Sequence, residues 1–456
     1  MPWSASISPM NSDQEPQEKK ISVPTASAVL GDGEIVEMVH DPEEQITRFV
    51  RSRGAEWEFA SSITLSPTER LVPYSPGNNL LKHGVVLFPS QPEEYGTEAD
   101  LVSRIRDFVR RHVDVSEDFE EIATYYILFT WVYDAFDEVP YVRVRGGYGS
   151  GKTRFLLTVG SLCYKPIFAS AASTVSPLFR LLDAFRGTLI LDEGDFRASD
   201  ERAQVVKVLN NGNARGFPVL RTEVSRQREF DPRAYHVFGP KLIATRGFFD
   251  DKALESRCVT EDMRGGSLRA GVPLNLDDRF RAEALRLRNQ LLLYRLRMSP
   301  VVRSAERAGG GGLEPRLEQI FGPLVSMVRD PAAQARIRSV LERLNEQLAE
   351  ERQESAEGQI LAVIRDLVAR GPEVRLAMRD IADEFALRHA KEYERRVTPR
   401  WVGSIVRRRL GLKPNRATGI FTLGPEEVAK LARLYVRYGI EEQPTQVVAP
   451  AEDEAA

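Results

Sequence analysis

At 456 residues the chain is too long for one small core, and two to four domains are expected. Its 42% hydrophobic and 28% charged residues are ordinary for a globular protein, and a net charge of −3 excludes an overall basic nucleic-acid binder while leaving local basic faces open. No apolar run approaches the ~18 residues a membrane span needs, no signal-peptide pattern opens the chain, and two cysteines with five histidines build no zinc site, so a cytoplasmic protein with buried, reduced thiols is expected.

Residues 1–20 are polar and aperiodic, which predicts disorder. Residues 21–96 read as a small β-rich domain. "ASAVLGDGEIVEMVH" gives two short strands around Gly31 and Gly33, "GVVLFPS" gives another, and a helix is expected near Pro42–Arg53. Between 97 and 138 the period becomes helical in "ADLVSRIRDFVRRHV" and "FEEIATYYILFTWVYDAF". From 139 to 263 strands and helices alternate. "YVRVRG", "TLILDEGD" and "PKLIATR" read as strands and "SPLFRLLDAF" as a helix, which predicts a parallel sheet flanked by helices. Residues 274–355 read as a helical lid or linker. No internal repeat is found.

Within that alternation, "RGGYGSGKT" fits the phosphate-binding pattern G-x-x-x-x-G-K-[ST], after a β-branched strand and before a helix. The chemistry needs that order. Glycines let backbone N–H groups of Gly149, Gly151 and Lys152 point toward phosphate oxygens, at a helix N-terminus whose dipole favours anions, with Gly147, Tyr148 and Ser150 completing the nucleotide-binding loop. Lys152 is placed for the β- and γ-phosphates of ATP and the Thr153 hydroxyl for Mg²⁺. Tyr148 is a large aromatic where small residues are common, and its ring is expected to point away from the phosphates.

About forty residues on, an apolar strand ends in Asp192-Glu193: Asp192 for the metal, Glu193 as general base toward water. Thr245 ends another apolar strand, either as a polar contact to the water or γ-phosphate or simply as a β-branched strand end. Arg257, twelve residues later, is either an arginine finger toward a neighbouring subunit or a solvated or ion-paired arginine, with Arg246 competing for that role.

This series, RGGYGSGKT, LILDEGD, VVKVLNNGNARGFPVLR, FGPKLIATR and ALESRCV, resembles the AAA+-type P-loop ATPases of mobile genetic elements, related to superfamily 3 helicases and to phage and plasmid primase–helicases. The resemblance spans roughly residues 97–262. It implies an α/β/α P-loop core, with Asp192 and Glu193 as the Walker B pair, Thr245 as the polar sensor and Arg257 as the finger. It also implies a homo-oligomeric, hexameric ring. "NNGNARGFPVLR" falls where such helicases carry a DNA-facing hairpin, making Arg215 and Arg221 its basic residues, although the lysine usual at the tip is missing. Arg316 falls at a helix start where a second sensor arginine could lie, a surface arginine being the alternative. No clustered Asp-x-Asp with a partner histidine points to a primase site.

Residues 357–442 have a helix–helix–helix–hairpin layout that looks like a winged helix-turn-helix. Thr398 is an N-cap with Pro399 at the first helical position, Gly411 ends the third helix, and "LKPNRATGIFTL" makes a wing. Arg400, Arg407, Arg408, Lys413 and Arg416 fall on that helix and wing, where DNA phosphates are met; contact with another protein is the alternative. An acidic tail, 443–456, is expected to be disordered. Three functions follow: an ATP-driven DNA motor or helicase-like enzyme, a non-translocating ATP-gated DNA-binding regulator or loader, and a defence or signalling NTPase with a protein partner.

Overall fold

The computed structural model describes residues 20–440 apart from 32, 55, 171–173, 193–199, 225–229, 250, 264, 266–268, 306–312, 370–375, 394–395, 418–419 and 424. Nearly all of the N-terminal stretch expected to be disordered, the acidic tail and Glu193 therefore lie outside the described residues. The chain divides into two compact units, Met1–Leu341 and Glu342–Ala456.

The first unit opens with β1 (Ile21–Pro24), β2 (Ser27–Val29), β3 (Ile35–Asp41), β4 (Ile46–Arg53), β5 (Glu56–Ala60), β6 (Ile63–Thr64), β7 (Glu69–Val72) and the short helix α1 (Asn79–Lys82). Strands β2-β3-β4-β5 form an antiparallel sheet and β1-β7-β6 a second, smaller one. The helix expected near Pro42–Arg53 is replaced by β4. Pairing with β3 and β5 fixes it as a strand, with Phe49 and Val50 buried in the sheet. The Asp41 carboxylate accepts from Glu43 N and Glu44 N to close a tight turn before the strand. The strand expected at "GVVLFPS" is reduced to a single bridge, Val86 to Ile167. There the segment covers a sheet edge, and Pro89 has no N–H with which to extend a ladder.

Two helices follow, α2 (Glu98–His112) and α3 (Glu117–Thr130). Thr97 and Asp100 form a reciprocal capping box on α2, and the Ser116 hydroxyl caps α3. The central sheet comes next: β8 (Tyr141–Arg145), α4 (Lys152–Gly160), β9 (Ile167–Ser170), α5 (Val175–Phe185), β10 (Leu189–Asp192), α6 (Asp200–Asn211), the hairpin β11 (Val219–Val224) and β12 (Phe230–Tyr235), β13 (Lys241–Thr245), α7 (Lys252–Glu255) and β14 (Cys258–Asp262). Its five strands are all parallel, in the order β14-β8-β13-β10-β9. As the alternation predicts, crossover connections carry helices onto the sheet, with α4 packed on β13 and β10. At the crossing Gly160 lies so close to Ile190 that a Cβ would sit 3.2 Å from three of its side-chain carbons.

Then come α8 (Asp278–Ser304), α9 (Pro315–Ser326) and α10 (Pro331–Glu354), and the boundary between the two units falls inside α10. Expected as part of a lid or linker, α8 packs its buried residues into the first unit. Its buried Asn289 accepts from Ser90 N, and its buried Arg288 donates to Phe88 O and Ser161 O. Arg295, 2% exposed, donates to Glu37 of β3 at 2.6 Å and forks onto Asp134 at 2.9 Å. Arg303 joins the same Asp134 carboxylate. The two guanidiniums hold the Asp134 carboxyl below the usual carboxylate range against its burial. Lys165, also buried, donates to Ser27 Oγ at 2.6 Å beside this network. Cys163 and Cys258 are free and buried, as expected, and burial pushes both thiols up.

The second unit holds α11 (Ala356–Ala369), β15 (Leu376–Ala377), α12 (Met378–His389), α13 (Pro399–Arg408), β16 (Asn415–Ala417), β17 (Ile420–Leu423) and α14 (Pro425–Tyr438). Ile360, Ile364, Ile381, Phe385, Val402 and Val406 form one core shared by α11, α12 and α13. A three-stranded antiparallel sheet in the order β15-β17-β16 follows from the same segment. Thr398 caps α13 by accepting from Trp401 N, and Pro399 occupies the first turn.

Candidate nucleotide site

The parallel register brings the C-terminal ends of β8, β13 and β10 side by side. In open α/β sheets that edge is where ligands bind. The loop after β8 enters α4 through Gly149 at φ 70° and Gly151 at φ 90°, both in the left-handed region that glycine tolerates. Gly146 has a different reason to be glycine, because a Cβ there would meet Met263 O at 2.5 Å and Ser150 Oγ at 2.6 Å. Lys152, the first residue of α4, folds its ammonium back over the loop, donating to Gly146 O at 2.7 Å and Gly147 O at 2.6 Å.

Thr153 Oγ1 donates to Asp192 Oδ2 at 2.8 Å. A hydroxyl and a carboxylate thirty-nine residues apart in sequence thus converge beside the loop. Both are hard oxygen donors, and a Mg²⁺ bridging to phosphates needs no more than one or two protein ligands of that kind. Among the described residues no cluster of three or more His, Cys, Asp or Glu could hold a metal by itself, so such an ion would depend on the nucleotide.

Thr245 is buried, and its hydroxyl donates to Gly247 O at 2.9 Å, pinning the turn after β13. Thr245 O in turn accepts from Gly146 N at 3.1 Å, tying that turn to the loop. Arg246, the next residue, donates to the Tyr148 hydroxyl at 2.6 Å, with its guanidinium 4.1 Å from the ring centroid. Tyr148 is 81% exposed, its ring turned outward.

Arg257 is elsewhere. It precedes β14, whose first residue, Cys258, pairs with Tyr141 at the start of β8, whereas the loop leaves the end of β8. A five-residue strand separates the two ends by roughly 16 Å. Half-buried, Arg257 donates to Asn213 Oδ1 and Asn210 Oδ1, each at 2.7 Å, and to Ala253 O at 2.5 Å. Arg316 also donates to Ala253 O, at 3.2 Å. Burial, with help from the neighbouring Arg316 charge, lowers the Arg257 pKa. Arg316 therefore sits beside Arg257 and away from its own chain's loop.

The hairpin position is occupied by β11 and β12, but its turn lies outside the described residues. Arg215 and Arg221 stand apart from that turn. Arg215 donates to Phe136 O at 2.8 Å and to Asp134 O, and lies 4.7 Å from the Phe238 ring centroid. Arg221 donates to Gln204 Oε1 at 2.9 Å and lies over Phe179. Both guanidiniums engage the unit's own framework, Arg215 beside the half-buried Phe238 and Arg221 over the buried Phe179. In the second unit Arg400, Arg407, Arg408 and Lys413 are exposed, and the side chain of Arg416 lies outside the described residues.

Three charged contacts around the site escape the sequence reading. Arg143, 1% exposed within β8, forks onto Glu255 and donates to Thr260 Oγ1. Arg145 forks onto Asp262 at 2.5 and 2.6 Å. Arg154 of α4 donates to Pro273 O at 2.9 Å. The signal for the first was present: an arginine between Val142 and Val144 in a buried strand must find a carboxylate.

No protein-family model matches the chain, and no curated protein matches it. Among solved structures, the NrS-1 C-terminal region is similar at 9% identity over 85% of this chain and 96% of that one, with a TM-score of 0.34. The structure titled "SCCmec type IV Cch - active helicase" is similar at 11% identity over 92% and 82% of the two chains, with a TM-score of 0.38. The JCV helicase is similar at 15% identity over 54% and 61%, with a TM-score of 0.26. The reading of the site rests on its own residues.

Proposed function

We propose that the chain is an ATP hydrolase of the AAA+ or superfamily 3 helicase-like kind, working as a DNA-binding motor in a ring. The observation that carries this reading is the approach of Thr153 to Asp192 beside a glycine loop ending in Lys152. A phosphate cradle and a hard-oxygen metal pair in one place suit a Mg²⁺-nucleotide and little else.

In this reading Lys152 Nζ would leave the carbonyls of Gly146 and Gly147 to bind the β- and γ-phosphates. Thr153 and Asp192 would hold the metal, which would supply neutralisation of charge on the phosphates. Glu193, next to Asp192 in sequence, accepts the proton of the attacking water. Arg257 and Arg316 lie at the far end of the sheet from their own chain's loop, which suits a pair of cations offered to the site of a neighbouring subunit. The second unit would be a winged helix, with α13 carrying Arg400, Arg407 and Arg408 toward DNA phosphates. Lys413 and Arg416 would act from the wing.

A second reading, an ATP-gated regulator that binds DNA without translocating, is favoured by the internal engagement of Arg215 and Arg221. The test is ATP turnover with and without single- and double-stranded DNA, together with strand unwinding. Turnover abolished by Lys152→Ala, with unwinding by the wild type, is expected for the motor. DNA binding and turnover without unwinding selects the regulator. Turnover unchanged by Lys152→Ala refutes the assigned site.

A further inference from the structure

Strand β2 is an edge strand, and beside it the first unit holds a cavity of about 700 Å³ that shares no lining residue with the glycine loop. Ser27, Ala28, Arg180, Asp183, Arg186 and Arg233 help to line it. Ser27 is paired with Glu37 of β3, while Met38 N donates to Ala26 O. Bonds to a partner strand alternate along an antiparallel strand, so Ser27 turns its own N–H to the open edge. Its hydroxyl meets Lys165 Nζ at 2.6 Å. Lys165 is 2% exposed, and its ammonium lies 4.4 Å from the Tyr164 ring centroid. The backbone at Lys165 is strained as well. Its φ of 41° is in the left-handed region, and Gly187 packs so close that a Cβ there would meet Lys165 O at 1.9 Å. Among the described residues three non-glycines have positive φ, and two of them are Lys165 and Arg186 of the cavity wall. Such strain persists only where the surroundings over-determine it, and it gathers at functional sites.

We propose that Ser27 and Lys165 form a second catalytic site, a serine nucleophile with a lysine base, which hydrolyses esters of small anionic carboxylic acids. Neutral Lys165 Nζ takes the Ser27 hydroxyl proton as Oγ bonds to the ester carbonyl carbon. The Ser27 N–H on the open edge is a donor for the oxyanion. As the carbonyl re-forms, the bond to the alcohol oxygen breaks, and the Lys165 ammonium gives its proton to that oxygen. Water then attacks the acyl-serine by the same route, releasing the acid and restoring Ser27. Burial lowers the Lys165 amine to about 7, which leaves much of it neutral near that pH. The charges around it act both ways: Glu37 of β3 and Asp134 raise it, while Arg295 of α8 and Arg186 at the end of α5 lower it. Three arginines against one aspartate in the cavity wall favour an anionic acyl group.

The test treats the full wild-type chain with a fluorophosphonate, whose phosphorus bonds to the Ser27 oxygen and loses fluoride, and maps the adduct by peptide mass spectrometry. Label on Ser27, lost when the chain is heat-denatured first, is expected. A wild type without label there overturns the proposal. Ser27→Ala should abolish the labelling, and Lys165→Met should slow it at least about a hundredfold, the range of a general base. Equal labelling in a Lys165→Met chain with the wild-type circular dichroism spectrum overturns the proposal too. Wild-type labelling should rise about tenfold per pH unit up to about 7 and level off above it, following the neutral amine. A flat profile excludes Lys165 as the base and overturns the dyad. Hydrolysis of para-nitrophenyl hydrogen succinate should exceed that of para-nitrophenyl acetate about tenfold in kcat/KM, and Arg186→Ala should remove the excess. Equal rates for the two esters overturn the substrate class.

Discussion

Replacing Arg295 with methionine removes a side chain that joins β3 to the segment after α3 through α8. The guanidinium donates to Glu37 at 2.6 Å and to both oxygens of Asp134 at 2.9 Å, and it is 2% exposed. Methionine fills comparable volume but leaves Glu37, itself 3% exposed at the side chain, without the guanidinium, although the Tyr164 hydroxyl still donates to it. Asp134 keeps Arg303. Removing one partner of a buried pair costs about 3–5 kcal/mol, because the remaining charge cannot recover its hydration. At ~2.1 cal/mol/K per residue, a unit of 341 residues has an unfolding entropy near 0.7 kcal/mol/K, so the loss corresponds to a fall in Tm of roughly 4–7 °C. Differential scanning calorimetry of wild type, Arg295→Met, Glu37→Gln and the double variant measures it. The double variant should lose less than the sum of the singles by about 1–3 kcal/mol, since neutralising Glu37 removes the stranded charge. A Tm within 2 °C of wild type for Arg295→Met, or strict additivity, refutes the reasoning.

Three further outcomes are expected. Gly146→Ala should abolish ATP turnover while leaving far-ultraviolet circular dichroism unchanged, because its Cβ would meet a backbone oxygen, Met263 O, at 2.5 Å and displace the loop. Burial pushes the Lys165 amine from its ordinary 10.5 down to about 7, so the unfolded chain binds the extra proton between those values. Stability contributed by this group accordingly rises as pH increases from about 7 toward 10.5. Thermal melts of Lys165→Met should be higher than wild type at pH 7, with the difference shrinking by pH 9. Replacing Arg400 and Arg408 together with alanine should weaken binding to double-stranded DNA of any sequence and lower the salt dependence by about two ions in a fluorescence anisotropy titration; unchanged affinity would assign α13 to another partner.

The nucleotide loop and its strand–turn–helix setting could be read from the sequence because glycine spacing, a β-branched strand and a lysine at a helix start are local features. The helices of the second unit were legible for the same reason, down to the Thr398 cap. What escaped was the pairing of distant residues. Arg257 and Arg215 look alike in sequence as basic residues near motif ends. Only the register of β14 against β8 and the course past Phe136 tell where each guanidinium goes. The strand β4 is not legible locally, because its pairing with β3 and β5 is what fixes it as a strand.

The contacts of α8 bear on how the protein is made. Glu37 and Arg295 are 258 residues apart, and Ser90 meets Asn289 across 199. On a ribosome, strands β1 to β7 and the whole five-stranded sheet emerge before the helix that neutralises their buried carboxylate. Until roughly residue 304 has left the exit tunnel, Glu37 of β3 can accept from the Tyr164 hydroxyl but lacks its Arg295 partner. The first unit can therefore complete its folding only late in synthesis, as a whole. A fragment cut after β14 should aggregate, and one carried through α8 to Leu341 is the shorter piece to express.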